Sequence, residues 1–85
     1  MNLRRTKRFV KDYAALPEEL KKRTEKAVSA LLDNPGHPSL MVKKMESCHG
    51  VWELRVSENY RLTFQLSGDT YILRRVGTHD VLRKP

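Results

Sequence analysis

The stretch VWELRVSENYRLTFQLSGDTYILRR, Val51 to Arg75, alternates apolar and polar residues at period two, the spacing that sends neighbouring side chains to opposite faces of a β-strand. Trp52, Leu54 and Val56 fall on one face of the first run, with Glu53, Arg55 and Ser57 opposite. Tyr60, Leu62, Phe64 and Leu66 share a face of the second, leaving Arg61, Thr63 and Gln65 on the other. Ser57-Glu58-Asn59 and Ser67-Gly68-Asp69 supply residues that tolerate tight or left-handed turns. The pattern predicts antiparallel strands of a half-buried sheet whose second face is cationic.

Upstream, residues 1–5 read as a short first strand. Thr6 is placed to cap a helix carrying Phe9, Tyr13 and Leu16 at helical spacing. Pro17 restarts the chain as a first-turn proline, and Glu18 and Glu19 favour the positive end of a second helix dipole. That helix is expected to run to about Asp33, burying Leu20, Ala27, Val28, Leu31 and Leu32. Its wet side carries the i,i+4 pairs Glu18–Lys22, Glu19–Arg23 and Lys21–Glu25. Asn34-Pro35-Gly36-His37-Pro38 cannot continue a helix.

A strand over Leu40–Met45, a loop over Glu46–Gly50 and three strands ending near Val76 follow. Gly77-Thr78-His79-Asp80 breaks the pattern, and Val81–Pro85 is a short tail. The expected fold is α+β, in the order β-α-α-β-β-β-β, with a helical hairpin packed on a small, mostly antiparallel twisted sheet. It forms one domain over residues 1–85.

Composition bounds the function. A chain of 85 residues buries only about 60% of the surface its unfolded form exposes, so stability is modest. The hydrophobic share of 39% and charged share of 32% fit a globular protein rather than a disordered one. No apolar run approaches the roughly 20 residues that cross a bilayer, so no membrane partner is expected. MNLRRTKRF lacks the apolar stretch of a signal peptide. The single cysteine, Cys48, excludes an internal disulfide, and these features together suit a reducing cytoplasm. The net charge of +7 favours polyanionic partners, either nucleic acid or an acidic protein.

The element order, with the phrases HPSLMVKKM, GVWELRV, NYRLTFQL and RRVGTHDVL, resembles the RelE/ParE superfamily of toxin–antitoxin toxins over nearly the whole chain. The resemblance implies the toxin component of such a system. RelE-like members are endoribonucleases that cut mRNA, usually in the ribosomal A site, whereas ParE-like members inhibit DNA gyrase by binding. The RelE-like mRNA interferase branch is favoured: ribosome-dependent cleavage of mRNA by 2′-OH attack, with no metal and no cofactor. The implied partners are mRNA, the ribosome and a cognate antitoxin whose acidic, partly disordered segment wraps the toxin. A ParE-like gyrase inhibitor and an inactive relic that binds an antitoxin stand as alternatives.

Metal-free cleavage through the 2′-hydroxyl needs a proton acceptor, a stabiliser of phosphorane charge and a donor to the leaving 5′-oxygen. Arginine suits the second role and histidine either proton transfer. Arg61 matches the arginine of the RelE-like Tyr-Arg-Leu segment and is the candidate phosphate clamp; its structural alternative is a pair with Glu53 or Glu58. His79 is the candidate general acid, with Asp80 beside it, and a surface histidine is the alternative. Arg75 is the candidate second phosphate contact, with Arg74 as its rival.

Lys43 and Lys44 match a basic second strand that holds RNA in some members. Only one can reach the site, and Lys44 is favoured. Arg55 is a candidate RNA contact placed to buttress Arg61, with a structural pair on the polar face it shares with Glu53 as the alternative. His49 is a candidate general base or RNA contact, with a loop histidine in neither role as the alternative. Glu46 stays unassigned, and Cys48-His49 forms neither a protease dyad nor a metal site. Trp52 and Tyr60 read as packing, whereas an exposed Tyr71 could stack on a base. The chain departs from some superfamily nucleases in lacking a tyrosine near its end, Leu82-Arg83-Lys84-Pro85.

Overall fold

A computed structural model describes residues 2–38 and 40–85; Met1, included in the expected first strand, lies outside them. The elements are β1 (Asn2–Arg5), α1 (Lys7–Ala14), α2 (Glu18–Asp33), β2 (Val42–Lys44), β3 (Val51–Arg55), β4 (Tyr60–Ser67), β5 (Thr70–Thr78) and a 3-10 turn (His79–Arg83). The five strands form one sheet in the order β1-β5-β4-β3-β2. β1 runs parallel to β5 and the remaining pairs are antiparallel. The expected architecture therefore holds.

The local signals act as their chemistry requires. Thr6 Oγ1 accepts from Phe9 N at 3.1 Å, satisfying one of the free N–H groups that open a helix. Gly68, with φ of +59°, sits in the left-handed region at the β4–β5 turn, where a side chain would be strained. Leu54, Leu62, Phe64, Leu73 and Val76 from the sheet meet Phe9, Val28 and Leu31 from the helices and Leu16 from the link between them in one buried cluster. Leu20, Ala27 and Leu32 pack partly buried around it.

Several local expectations need correction. The second strand is three residues long, β5 extends two residues past Val76, and the tail is a 3-10 turn. Leu66 shares the core-facing side of β4, yet is 51% exposed: alternation fixes which face a residue shares, not whether another layer covers it. Tyr71 is buried at 4% exposure in an edge-on contact with Phe64, 5.5 Å between centroids, so it offers no stacking surface.

The alternation also breaks inside β5. Thr63 pairs with Arg75 but Phe64 pairs with Leu73, leaving Arg74 as the extra residue of a β-bulge. Leu73 and Val76, three apart, are consequently both buried.

The face opposite the helices is not fully open. Val81 is buried, and a Cβ built on Gly77 would lie 2.9 Å from Val81 Cγ1. Further along, Thr63 Oγ1 donates to Pro85 O at 3.2 Å, and Thr63 is fully buried. The C-terminal segment thus crosses the polar face from Gly77 to Thr63.

Truncating Leu62, fully buried in the core, to Ala is expected to cost about 2–5 kcal/mol, read as a lowered urea midpoint with an unchanged slope. Gly77→Ala should cost about 1–3 kcal/mol by overpacking, and adding Val81→Ala should recover part of that loss if the contact is the cause.

Candidate functional site

The pairing register sorts the candidate residues by face. Arg55 lies opposite Arg61, and Arg61 opposite Gly77. One row away, Lys43 lies opposite Glu53, Glu53 opposite Thr63, and Thr63 opposite Arg75. These rows are two residues apart on the face away from the helices, a step of about 7 Å. Lys44 pairs with Trp52 on the other side, its Nζ 6.0 Å from the indole centroid. The preference for Lys44 is therefore reversed, and Lys43 shares the face of Arg55 and Arg61.

Two arginines directly across a sheet repel unless something offsets them. Arg61 turns its Nη1 into the β3–β4 turn, donating to Ser57 O at 2.7 Å, Glu58 O at 3.0 Å and Tyr60 O at 3.0 Å. Its partners are backbone carbonyls, not the carboxylates of Glu53 or Glu58. Nε and Nη2 make no hydrogen bond among the described residues. Arg55 is exposed, its Nη1 3.7 Å from Met41 Sδ, a weak acceptor.

His79 is exposed and opens the 3-10 turn, and its backbone N donates to Asn59 O at 3.1 Å. Asn59 belongs to the same β3–β4 turn that Arg61 braces. The candidate phosphate clamp and candidate general acid are thus tied to one turn at one end of the sheet.

Arg75 is held differently. β1 pairs with β5 only as far as Leu73, which leaves the next part of the β5 edge without a strand partner. α1 covers it: Thr6 Oγ1 donates to Arg74 O at 3.0 Å, and Asp12 Oδ2 accepts from Val76 N at 3.3 Å. Asp12 also takes both Arg75 Nε, at 2.9 Å, and Nη2, at 3.1 Å, a bidentate pair with side chains 18% and 16% exposed. The hydrogen bond to Asp12 raises the guanidinium pKa further above its already high ordinary value, so Arg75 is a fixed cation whose remaining Nη1 reaches Lys84 O at 3.4 Å. Arg74 donates through Nη1 to Gln65 Oε1 and through Nε to Pro85 O, the latter at 3.0 Å. The bulge thus lets both arginines, rather than one or the other, reach the C-terminal segment.

His49 and Lys43 are exposed and make no side-chain hydrogen bond among the described residues. Sequence reading missed Asp12, whose partner lies 63 positions away; the only signal was one acid in the otherwise basic run of α1, KRFVKDYA. A concavity of about 370 Å³ lies between β1, α1 and α2, lined in part by Phe9, Val10, Tyr13, Val28 and Leu32. Burial and the nearby Glu25 push the Tyr13 phenol pKa up. No described helix is long and apolar enough to cross a membrane.

The family model of the ParE-like toxin domain matches residues 18–81. The chain belongs to that family. It is 33% identical over 72 residues to Toxin RelE3 of Methanocaldococcus jannaschii, spanning 82% of this chain and 81% of that protein. A chain of the RelB–RelE antitoxin–toxin complex from Methanococcus jannaschii superposes with a TM-score of 0.77 at 27% identity, covering 95% of each. A chain of the E. coli DinJ–YafQ toxin–antitoxin complex gives a TM-score of 0.79 at 17% identity, covering 95% of this chain and 94% of that one, a likeness of fold alone. Membership in the RelE/ParE superfamily, inferred from the four sequence phrases, holds.

A double-mutant cycle on Asp12→Ala and Arg75→Ala should give a coupling of about 1–3 kcal/mol. The exposed Glu19–Arg23 pair, 3.5 Å apart, should give about 0.5 kcal/mol or less. Urea denaturation of the single and double variants checks both.

Proposed function

We propose that this chain is the toxin of a toxin–antitoxin pair and acts in the cytoplasm as a ribosome-dependent endoribonuclease that cleaves mRNA. The observation that carries the reading is the attachment of Arg61 and His79 to the same turn, with Arg55 in the row of Arg61 and Lys43 in the next row of the same face. In this reading the free Nε and Nη2 of Arg61 grip the scissile phosphate and stabilise charge as the 2′-oxygen attacks. His79 gives a proton to the departing 5′-oxygen, leaving a 2′,3′-cyclic phosphate and a 5′-hydroxyl. Arg75, oriented by Asp12, is a second anion contact. Lys43 and Arg55 track the strand, and His49 serves as RNA contact or acceptor of the 2′-proton.

The antitoxin of this pair carries an acidic segment that covers the cationic face and occludes the site. The apolar groove between α1 and α2, with Val10 53% exposed, suits the segment's apolar side chains. The complexes solved for the archaeal RelB–RelE and the E. coli DinJ–YafQ proteins support a partner of this kind.

A second reading, gyrase inhibition by binding, is favoured by one observation. Arg75 is committed to Asp12, and Arg61 in part to its own turn, in the free chain. Induced expression followed by mapping of transcript 5′ ends separates the two. Cuts within translated messages, reduced about 10²-fold or more by Arg61→Ala and by His79→Gln, are the expected result. Intact transcripts with DNA damage and filamentation would instead mark a gyrase inhibitor, and normal growth an inactive relic.

A further inference from the structure

Of the residues in the two polar rows, Lys43–Glu53–Thr63–Arg75 and Arg55–Arg61–Gly77, only Glu53 is an acid. It is half-buried. Lys43 stands directly across from it on β2, and Arg55 lies two residues along on β3. Arg61 is its diagonal neighbour on β4, a spacing of about 7–8 Å. Thr63, its direct partner on β4, is buried under the C-terminal segment through the bond to Pro85 O, with Arg75 beyond it in the row.

Opposite charges facing each other across a sheet attract. The Glu53 carboxylate nevertheless makes no hydrogen bond or ion pair among the described residues. Asp12 is the contrast, with both of its oxygens taken by Arg75 and the Val76 amide. A half-buried carboxylate surrounded by cations and bonded to none of them keeps its acceptor oxygens for something outside the chain.

The ladder also sets Glu53 and His79 on opposite sides of Arg61. Glu53 lies one row towards the middle of the sheet and one strand away on β3. His79, whose amide meets Asn59 O, lies one row towards the β3–β4 turn and at the end of β5. Each is about 7 Å from the Arg61 row along the strands. Displacement at phosphorus runs with the attacking and leaving oxygens roughly in line, so a proton acceptor and a proton donor belong on opposite sides of the group that grips the phosphate. His49 does not fit that place. It sits in the loop beyond Val51, and Val51 pairs with Gln65 two rows from Arg61, about 14 Å along the strand.

We propose that Glu53 is the general base of the cleavage, an assignment that rests on the nuclease reading. Its ionised carboxylate takes the 2′-hydroxyl proton as the 2′-oxygen bonds to phosphorus. The bond from phosphorus to the 5′-oxygen breaks, and that oxygen receives its proton from His79. Glu53 ends protonated and His79 neutral, and proton exchange with water restores both. His49 is left as an RNA contact.

Single-turnover cleavage of a message on programmed ribosomes, with the full chain, tests the assignment. Glu53→Gln should lower the rate about 10²–10⁴-fold. A message with a 2′-deoxy residue at the cut site cannot be cleaved; Glu53→Gln should bind it as tightly or more tightly, because a negative charge has left a cationic face. The rate of the natural protein should rise with pH on the acid side of its profile. That rise should vanish in Glu53→Gln and persist, at a lower rate, in Glu53→Asp. A message with sulfur in place of the scissile 5′-oxygen needs no proton on its leaving group. It should restore His79→Gln and leave Glu53→Gln slow, a separation that a merely structural role for Glu53 would not produce.

A Glu53→Gln protein that keeps the natural rate, keeps the acid-side rise or is restored by sulfur overturns the assignment while cleavage by the natural protein stands. A rate lost only in step with message binding overturns it as well. If the natural protein cuts neither message, the nuclease reading fails and the assignment falls with it.

Discussion

One carboxylate decides how the end of this sheet is closed. β1 is too short to cover β5, and an open strand edge leaves backbone groups that need partners. Asp12 takes the Val76 amide and the Arg75 guanidinium together, and so joins α1 to the uncovered edge. An acid late in a helix opposes the dipole there, so α1 itself gains nothing from Asp12. The residue makes sense only through β5. The orientation of Arg75 and the seating of α1 both follow from this one fork.

The arginines of the cationic face follow a related logic. Arg61 holds the β3–β4 turn through one nitrogen and keeps two others free. Arg75 holds α1 through two and keeps one turned to the C-terminal segment. Each is fixed by a structural bond and still presents part of its planar head, a division that a single-point lysine ammonium could not make. Preorganised charge of this kind needs little reordering when an anion arrives.

Much of this was legible in the chain. Period-two alternation from Val51 to Leu66 placed β3, β4 and the inward faces, and Thr6, Pro17 and the Asn34–Pro38 break marked the helix ends. The superfamily followed from short phrases in the right order. The bulge was not legible, because an extra residue shows only as pairing with a partner strand. That is why Arg74 and Arg75 stand as rivals in the sequence alone. The preference for Lys44 over Lys43 had no footing in the sequence either, since alternation says they face apart but register says which way. Asp12 and the folded-back tail depend on contacts between distant positions, which no local window contains.

The extra residue at Arg74 also governs how relatives are compared. In a homologue with one residue fewer between Leu73 and Val76, the strand would regain strict alternation and could not aim two adjacent guanidiniums at the same segment. A gap placed one column to either side in an alignment would then assign anion contacts to the wrong position. Strand pairing, rather than matching letters, is the proper guide to equivalence in this stretch.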